Sequence, residues 1–259
     1  IHIESRRPGR SRQQPAAGVY NFSIASPMWE DGSSASRLIG LPGTSKIKTS
    51  VTVIPELRSH VPKVEFSLQW PRNAVLARTI TLGQLAPTPE EKLRPVETQL
   101  LHYDGDEWQA YTYRWNNAGT DADLVQAEGA EMTIRAPADP HALGHDTRQY
   151  SWRFQSRSEC LRCHNSWVGV ALAFNSIQLR GVAGPQTNEL IECGLVDSEF
   201  FEQSRLGADA QGAGNQAART VLHVNCGHCH RQNAGGAVAA FFNIDLLTAQ
   251  MNVVGVPPT

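Results

Sequence analysis

Two pentapeptides constrain this chain more than anything else in it. Cys160-Leu161-Arg162-Cys163-His164 and Cys226-Gly227-His228-Cys229-His230 share one spacing, two thiols separated by two residues and an imidazole directly after the second, and they use four of the five cysteines. That pattern is the attachment signature of a c-type haem: the thiols bond the porphyrin's vinyl groups and the adjacent histidine ligates the iron. Two other chemistries use Cys-x-x-Cys. One motif alone suits a redox dithiol, and two together suit a four-thiolate zinc site. Neither needs a histidine after both second cysteines, and the segment between the motifs is far longer than a zinc-ribbon spacing, although distant knuckles can still meet in space. Haem is the favoured reading and zinc the next.

Covalent haem sets further expectations. His164 and His230 become the proximal iron ligands, and Cys160, Cys163, Cys226 and Cys229 the attachment points. On the distal side, His141 and His145, four residues apart and just ahead of the first motif, are the best-placed imidazoles for the first iron. Met251 follows the second motif and is the candidate sulfur for the second; Met28 and Met132 are placed less well. His60, His102, His223 and His228 are weaker candidates. Arg157, Arg162 and Arg231 flank the motifs and suit haem propionates, which guanidinium groups bind through charge-assisted hydrogen bonds. Trp167, with Trp152, Phe154 and Phe174, is expected to wall the first haem from water. Cys193 is left over and reads as a buried, inert thiol. Asp121 and Asp123 beside Trp115-Asn116 read as turn residues, because no nucleophile or metal cluster accompanies them.

The chain around the motifs divides by period. Residues 1–17, rich in Arg, Ser, Gln and Pro, read as an arm or linker. From 18 to 155 alternation with a period of two dominates, in runs at Val51–Ile54, Val64–Trp70, Val75–Leu82, Tyr111–Trp115, Glu131–Arg135 and Tyr150–Phe154, with a turn at Asp104-Gly105. Short, regularly punctuated strands predict an antiparallel, sandwich-like β-domain. The pattern turns helical at Ser156, where Ser156-Arg157-Ser158-Glu159 fits a capping box and predicts a helix carrying the first motif. Trp167 to Leu179 has helical spacing, Asn188 to Phe201 reads as short helical pieces, and Asn215 to Asn225 predicts a helix with Ala218, Val221 and Leu222 on its apolar stripe. The fold class expected is α+β, with the first haem region over 156–206 and the second over 207–259.

Charge and length bound the rest. A formal net charge of −2 over 259 residues carries no nucleic-acid footprint. The apolar run near Val168 to Phe174 is too short to span a bilayer. Residues 1–7 lack the apolar core of a signal peptide, yet haem attachment implies export, so the expected place is periplasmic or otherwise extracytoplasmic.

Several segments together resemble a family of bacterial dihaem c-type cytochromes: 26–32 (Ser-Pro-Met-Trp-Glu-Asp-Gly), Leu41-Pro42-Gly43, Glu97–Leu101, Tyr113–Asn116 with Thr120-Asp121-Ala122, Ser156–His164 and Leu222–Arg231. In that family the domain stands alone or follows a propeller similar to a quinoprotein sugar dehydrogenase. The resemblance implies two covalently bound haem c groups, electron transfer rather than substrate turnover, and redox partner proteins such as a quinoprotein dehydrogenase. Relatives continue past the second motif to a Met-Pro element that Thr259 is reached without, which implies a C-terminal segment or second chain as a further partner. Should one iron lack a distal ligand, a dihaem peroxidase or small-ligand-binding enzyme is the alternative, and a zinc-stapled binding module is the third reading.

Overall fold

The structure is a computed structural model that describes residues 16, 18–30, 33–54, 63–82, 94–136, 148–180, 182, 184–202, 209–231, 234, 236 and 238–256. It is a mixed, α+β fold with a mainly antiparallel sheet and four helices. Ten strands come first: β1 (Val19–Phe22), β2 (Ser34–Gly40), β3 (Lys48–Ile54), β4 (Lys63–Gln69), β5 (Val75–Leu82), β6 (Arg94–Tyr103), β7 (Trp108–Trp115), β8 (Ala122–Leu124), β9 (Ala130–Ala136) and β10 (Arg148–Phe154). The helices α1 (Arg157–Cys163), α2 (Ser176–Arg180), α3 (Gln186–Glu192) and α4 (Ala213–Cys226) follow. No helix among the described residues is long and apolar enough to cross a membrane.

The described residues form two compact units. One draws on 1–22, 30–43 and 72–162, the other on 23–29, 44–71 and 163–259. The first holds a six-stranded antiparallel sheet in the order β1-β2-β5-β6-β7-β8 and the separate β9–β10 pair. Leu82, Val96, Val125, Ile134 and Phe154 form one of its core clusters, with Met132 and Trp152 against it. The hairpin β3–β4 interrupts the sheet in sequence but belongs to the second unit, where Ile47 bridges to Val196.

One face of the six-stranded sheet carries a polar row that the pairing register lines up across four strands. Arg37 of β2 stands opposite Arg78 of β5, Arg78 opposite Gln99 of β6, and Gln99 opposite Thr112 of β7. Next to it, Ile39, Leu76, Leu101 and Ala110 make a buried apolar row in the same register. Polar side chains inside a sheet need partners, and the main ones are present here, although Arg37 Nε and Arg78 Nε have none among the described residues. Glu30 accepts from both Arg37 (2.6 Å) and Arg78 (2.9 Å), and Gln99 donates to Glu97 at 2.9 Å.

Two sequence expectations need correcting here. Trp167 to Leu179 is not one helical stretch: a 3-10 turn over Ser166–Val168 and the five-residue α2 are its helical parts. The apolar stripe on α4 is also wrong, since Val221 is 57% exposed and Arg219 and Val224 are the residues turned inward. The cause lies in Arg219's partners. Its guanidinium donates to Asn215, Asp209, Thr248 and the Leu246 carbonyl, so its burial leaves no charge or donor stranded.

Candidate functional site

The first motif sits on a short helix with a built start. The Ser156 amide donates to Glu159 Oε2 at 3.0 Å and the Glu159 amide to Ser156 Oγ at 3.2 Å, the reciprocal bonds of a capping box. Seven residues are too few for a helix to persist on propensity, so this cap matters. Cys160 and Cys163 lie within α1, and His164 follows its last residue. Cys160 is partly buried; burial pushes its thiol pKa up, and the nearby charge of Glu97 adds to this, while the Thr112 side chain hydrogen-bonds the sulfur.

His164 has a fixed ring. Its Nδ1 lies 2.6 Å from the Val170 carbonyl oxygen. A carbonyl only accepts, so Nδ1 carries the proton, which is the tautomer and orienting bond that ligating histidines use. The carbonyl is aimed by an uncommon backbone. Val170 has φ +67°, a conformation costly for a β-branched residue, by about 1–2 kcal/mol. Strain of this kind persists where surrounding contacts impose it.

The second motif begins where α4 ends. Cys226 is the last helical residue, and the Cys229 and His230 amides both donate to its carbonyl. Two glycines make room. A Cβ on Gly236 would fall 2.9 Å from the Cys229 carbonyl oxygen and 3.2 Å from His230 Nδ1, and one on Gly227 would fall 2.6 Å from the His223 carbonyl oxygen. The Phe242 ring packs edge-on to His230 at 5.3 Å, and its amide donates to the His230 carbonyl. One residue earlier, the Phe241 amide donates to the Met251 carbonyl, and Met251 is 3% exposed. The 241–242 segment thus ties Met251 to His230 through adjacent residues.

Polar satisfaction differs sharply here. Among the described residues, buried His223 Nδ1, His228 Nδ1, His230 Nδ1 and Asn243 Oδ1 have no hydrogen-bond partner. His223 is half-buried, and its pKa is pushed down to about 4, first by desolvation and then by the charge of Arg231, against the pull of Asp245 and of a hydrogen bond to the Phe242 backbone. Orphaned polar atoms are rare in folded proteins, and a cluster of them calls for an explanation such as a bound group.

The remaining candidates fall as follows. His141 and His145 lie outside the described residues, as does His60. Arg157 stacks over the Tyr111 ring at 4.9 Å, Arg162 is exposed in the last turn of α1, and Arg231 Nε donates to the Gly227 carbonyl at 2.7 Å. Trp167 is in the 3-10 turn after His164. The expected aromatic wall has other work: Trp152 Nε1 donates to Glu97 at 3.0 Å, Phe154 is a core residue, and Phe174 packs between Trp70 and Phe200. His102 faces Asn73, and Asp121 accepts from the Ala122 amide within its turn. Cys193 is exposed rather than buried, with its thiol donating to the Glu189 carbonyl.

Val170, Gly236 and Phe242 were not singled out from the sequence. The Gly235-Gly236 pair after the second motif was the one visible signal of a close approach. A positive φ at a valine leaves no trace in residue type.

The donor set fits covalent haem. All four motif cysteines are free thiols, each second cysteine is followed by an imidazole, His164 has the ligating tautomer, and the orphaned nitrogens surround the second motif. Among the described residues no three His, Cys, Asp or Glu side chains converge as a metal site. No known family model, curated protein or solved structure matches the chain.

Proposed function

We propose that the chain is a dihaem c-type cytochrome that carries electrons from an extracytoplasmic dehydrogenase to a downstream acceptor. The observation that carries this is the repeated pair of free thiols with an imidazole one residue on; the His164–Val170 hydrogen bond supports it independently. The eight strands of the first unit are read as sandwich-like, the six-stranded sheet facing β9–β10, and the helical region as cytochrome c-type. The resemblance to bacterial dihaem cytochromes belongs to the same proposal, with a quinoprotein dehydrogenase as the favoured donor and the periplasm as the favoured location.

The residues have distinct tasks. Cys160 and Cys163 would hold one haem and Cys226 and Cys229 the other, with His164 and His230 as iron ligands. Haem iron supplies the one-electron chemistry, while the protein sets ligation, polarity and access. The Val170 carbonyl keeps His164 in one tautomer. Phe242 and the Gly236 backbone confine His230. Met251 is buried, uncharged and tied to the His230 segment, and it is the candidate distal ligand there.

Intact mass of the chain purified from its native host, with a reduced-minus-oxidised spectrum, tests the proposal. Two haem equivalents and a c-type spectrum are expected; Cys160→Ala/Cys163→Ala and Cys226→Ala/Cys229→Ala should each lose one. An unmodified mass from a haem-replete host would falsify it.

A further inference from the structure

One buried titratable group is unused by this reading. Glu97 of β6 is 1% exposed, and its carboxylate accepts from Gln99 Nε2 at 2.9 Å and Trp152 Nε1 at 3.0 Å. Both donors are neutral, so they orient the carboxyl without fixing it in the charged form. Its register places it on the sheet face that carries Arg78, Gln99 and Thr112, and Thr112 hydrogen-bonds the Cys160 thiol. Glu97 is itself near enough to that thiol for its charge to be felt there.

We propose that Glu97 is a redox-linked proton site of the first motif, taking up a proton when the group carried at Cys160 gains an electron and returning it when the electron leaves. The inference rests on the cytochrome reading above. The step balances: the donor dehydrogenase supplies one electron, water supplies one proton to a Glu97 carboxylate oxygen, and on reoxidation the acceptor takes the electron and water the proton.

Electrostatics give the coupling its sign and size. Burial alone pushes Glu97's proton affinity up, and the bonds from Gln99 and Trp152 and the charge of Arg78 pull it partly back. Among the described residues, the charged or titratable side chains around it are Arg78 on β5, Arg114 opposite it in register on β7 and Cys160 on α1; β10 presents neutral Trp152. A unit charge about 10 Å away at an effective permittivity of about 20 changes proton affinity by roughly tenfold. Loss of positive charge at the attached group therefore favours the neutral acid. Arg78, about one-third exposed and opposite Gln99, brings this face of the sheet to solvent.

Potentiometric titration of the holoprotein from about pH 4 to about pH 9, with infrared difference spectra of the two redox states, tests the idea against the ordinary carboxyl range. One component of the potential should fall with rising pH over the interval between Glu97's two proton affinities. The total shift is about 59 mV for each tenfold difference between them. A carboxylic-acid band should appear on reduction, and Glu97→Gln should remove both. A flat wild-type potential, or a slope and band retained in Glu97→Gln, overturns the proposal. If that variant does not fold, Trp152→Phe serves: losing one donor to the carboxylate should move the sloping interval to higher pH, and an unmoved interval overturns the proposal. A chain that carries no haem defeats the cytochrome reading, whereas a haem-bearing chain with a pH-independent potential defeats the coupling alone.

Discussion

The same Cys-x-x-Cys-His pattern is held in two opposite ways. In the first motif both cysteines lie inside a seven-residue helix that begins at a capping box, and the histidine beyond its end is anchored through Nδ1 to a strained carbonyl. The second motif starts on the last residue of a fourteen-residue helix. Its histidine is confined by glycine backbone and a phenylalanine ring, with Nδ1 unpartnered. The first is thus specified by local hydrogen bonds and the second by packing at close range. They should differ in what breaks them.

The largest effect is expected at Arg219, which holds α4 to the turn that precedes Met251. Arg219→Leu keeps the volume and removes donors to Asn215, Asp209, Thr248 and the Leu246 carbonyl. Asp209 remains wet, which limits the penalty to about 3 kcal/mol. Hydrogen exchange should show the loss across α4 and 246–251 while α1 amides keep their protection. Equal loss of protection at α1 would show that the two motifs do not respond separately.

A smaller change probes the close approach directly. Gly236→Ala puts a methyl against the Cys229 carbonyl and His230 Nδ1, and backbone cannot swing aside as a flexible side chain does. Overpacking of this kind costs about 1–3 kcal/mol. A lowered thermal midpoint with an altered second-haem spectrum is expected, and an unchanged spectrum would show that Gly236 does not confine His230.

How far these differences could be read from the sequence depends on where each signal resides. The capping box at Ser156–Glu159 is a matter of residue type at fixed spacing, so it was legible, as were β5, β9 and β10 from their alternation. Strand β6 was not, because Val96, Glu97 and Thr98 are all buried in succession and the alternation disappears. The inward face of α4 was misread because a fully hydrogen-bonded arginine behaves as a core residue. Strain at Val170 and the contacts of Gly236 arise only when distant segments meet. Motif spacing was thus visible and motif support was not.

The smallest effect separates the two supports by pH. Ser156→Ala removes the cap that starts α1, at a cost of about 1 kcal/mol. The hydrogen bonds from the Ser156 backbone and side chain also hold the Glu159 carboxyl below its ordinary pKa, with further help from Arg153 and Arg162. A depressed carboxyl stabilises the fold above its unfolded pKa, about 4.3 for glutamate, and loses that contribution as pH falls through the lower folded value. Protection of the α1 amides should therefore fall on acidification in the wild type and fall somewhat less in Ser156→Ala, which loses the side-chain bond to Glu159 while the larger backbone bond remains. Asp209, depressed chiefly by its bonds from Thr248, gives α4 an acid response of the same sign that Ser156→Ala should leave intact. If both helices instead lost their acid response together in that variant, the cap would be supporting more than its own motif, and the division between a hydrogen-bonded first site and a packed second one would not hold.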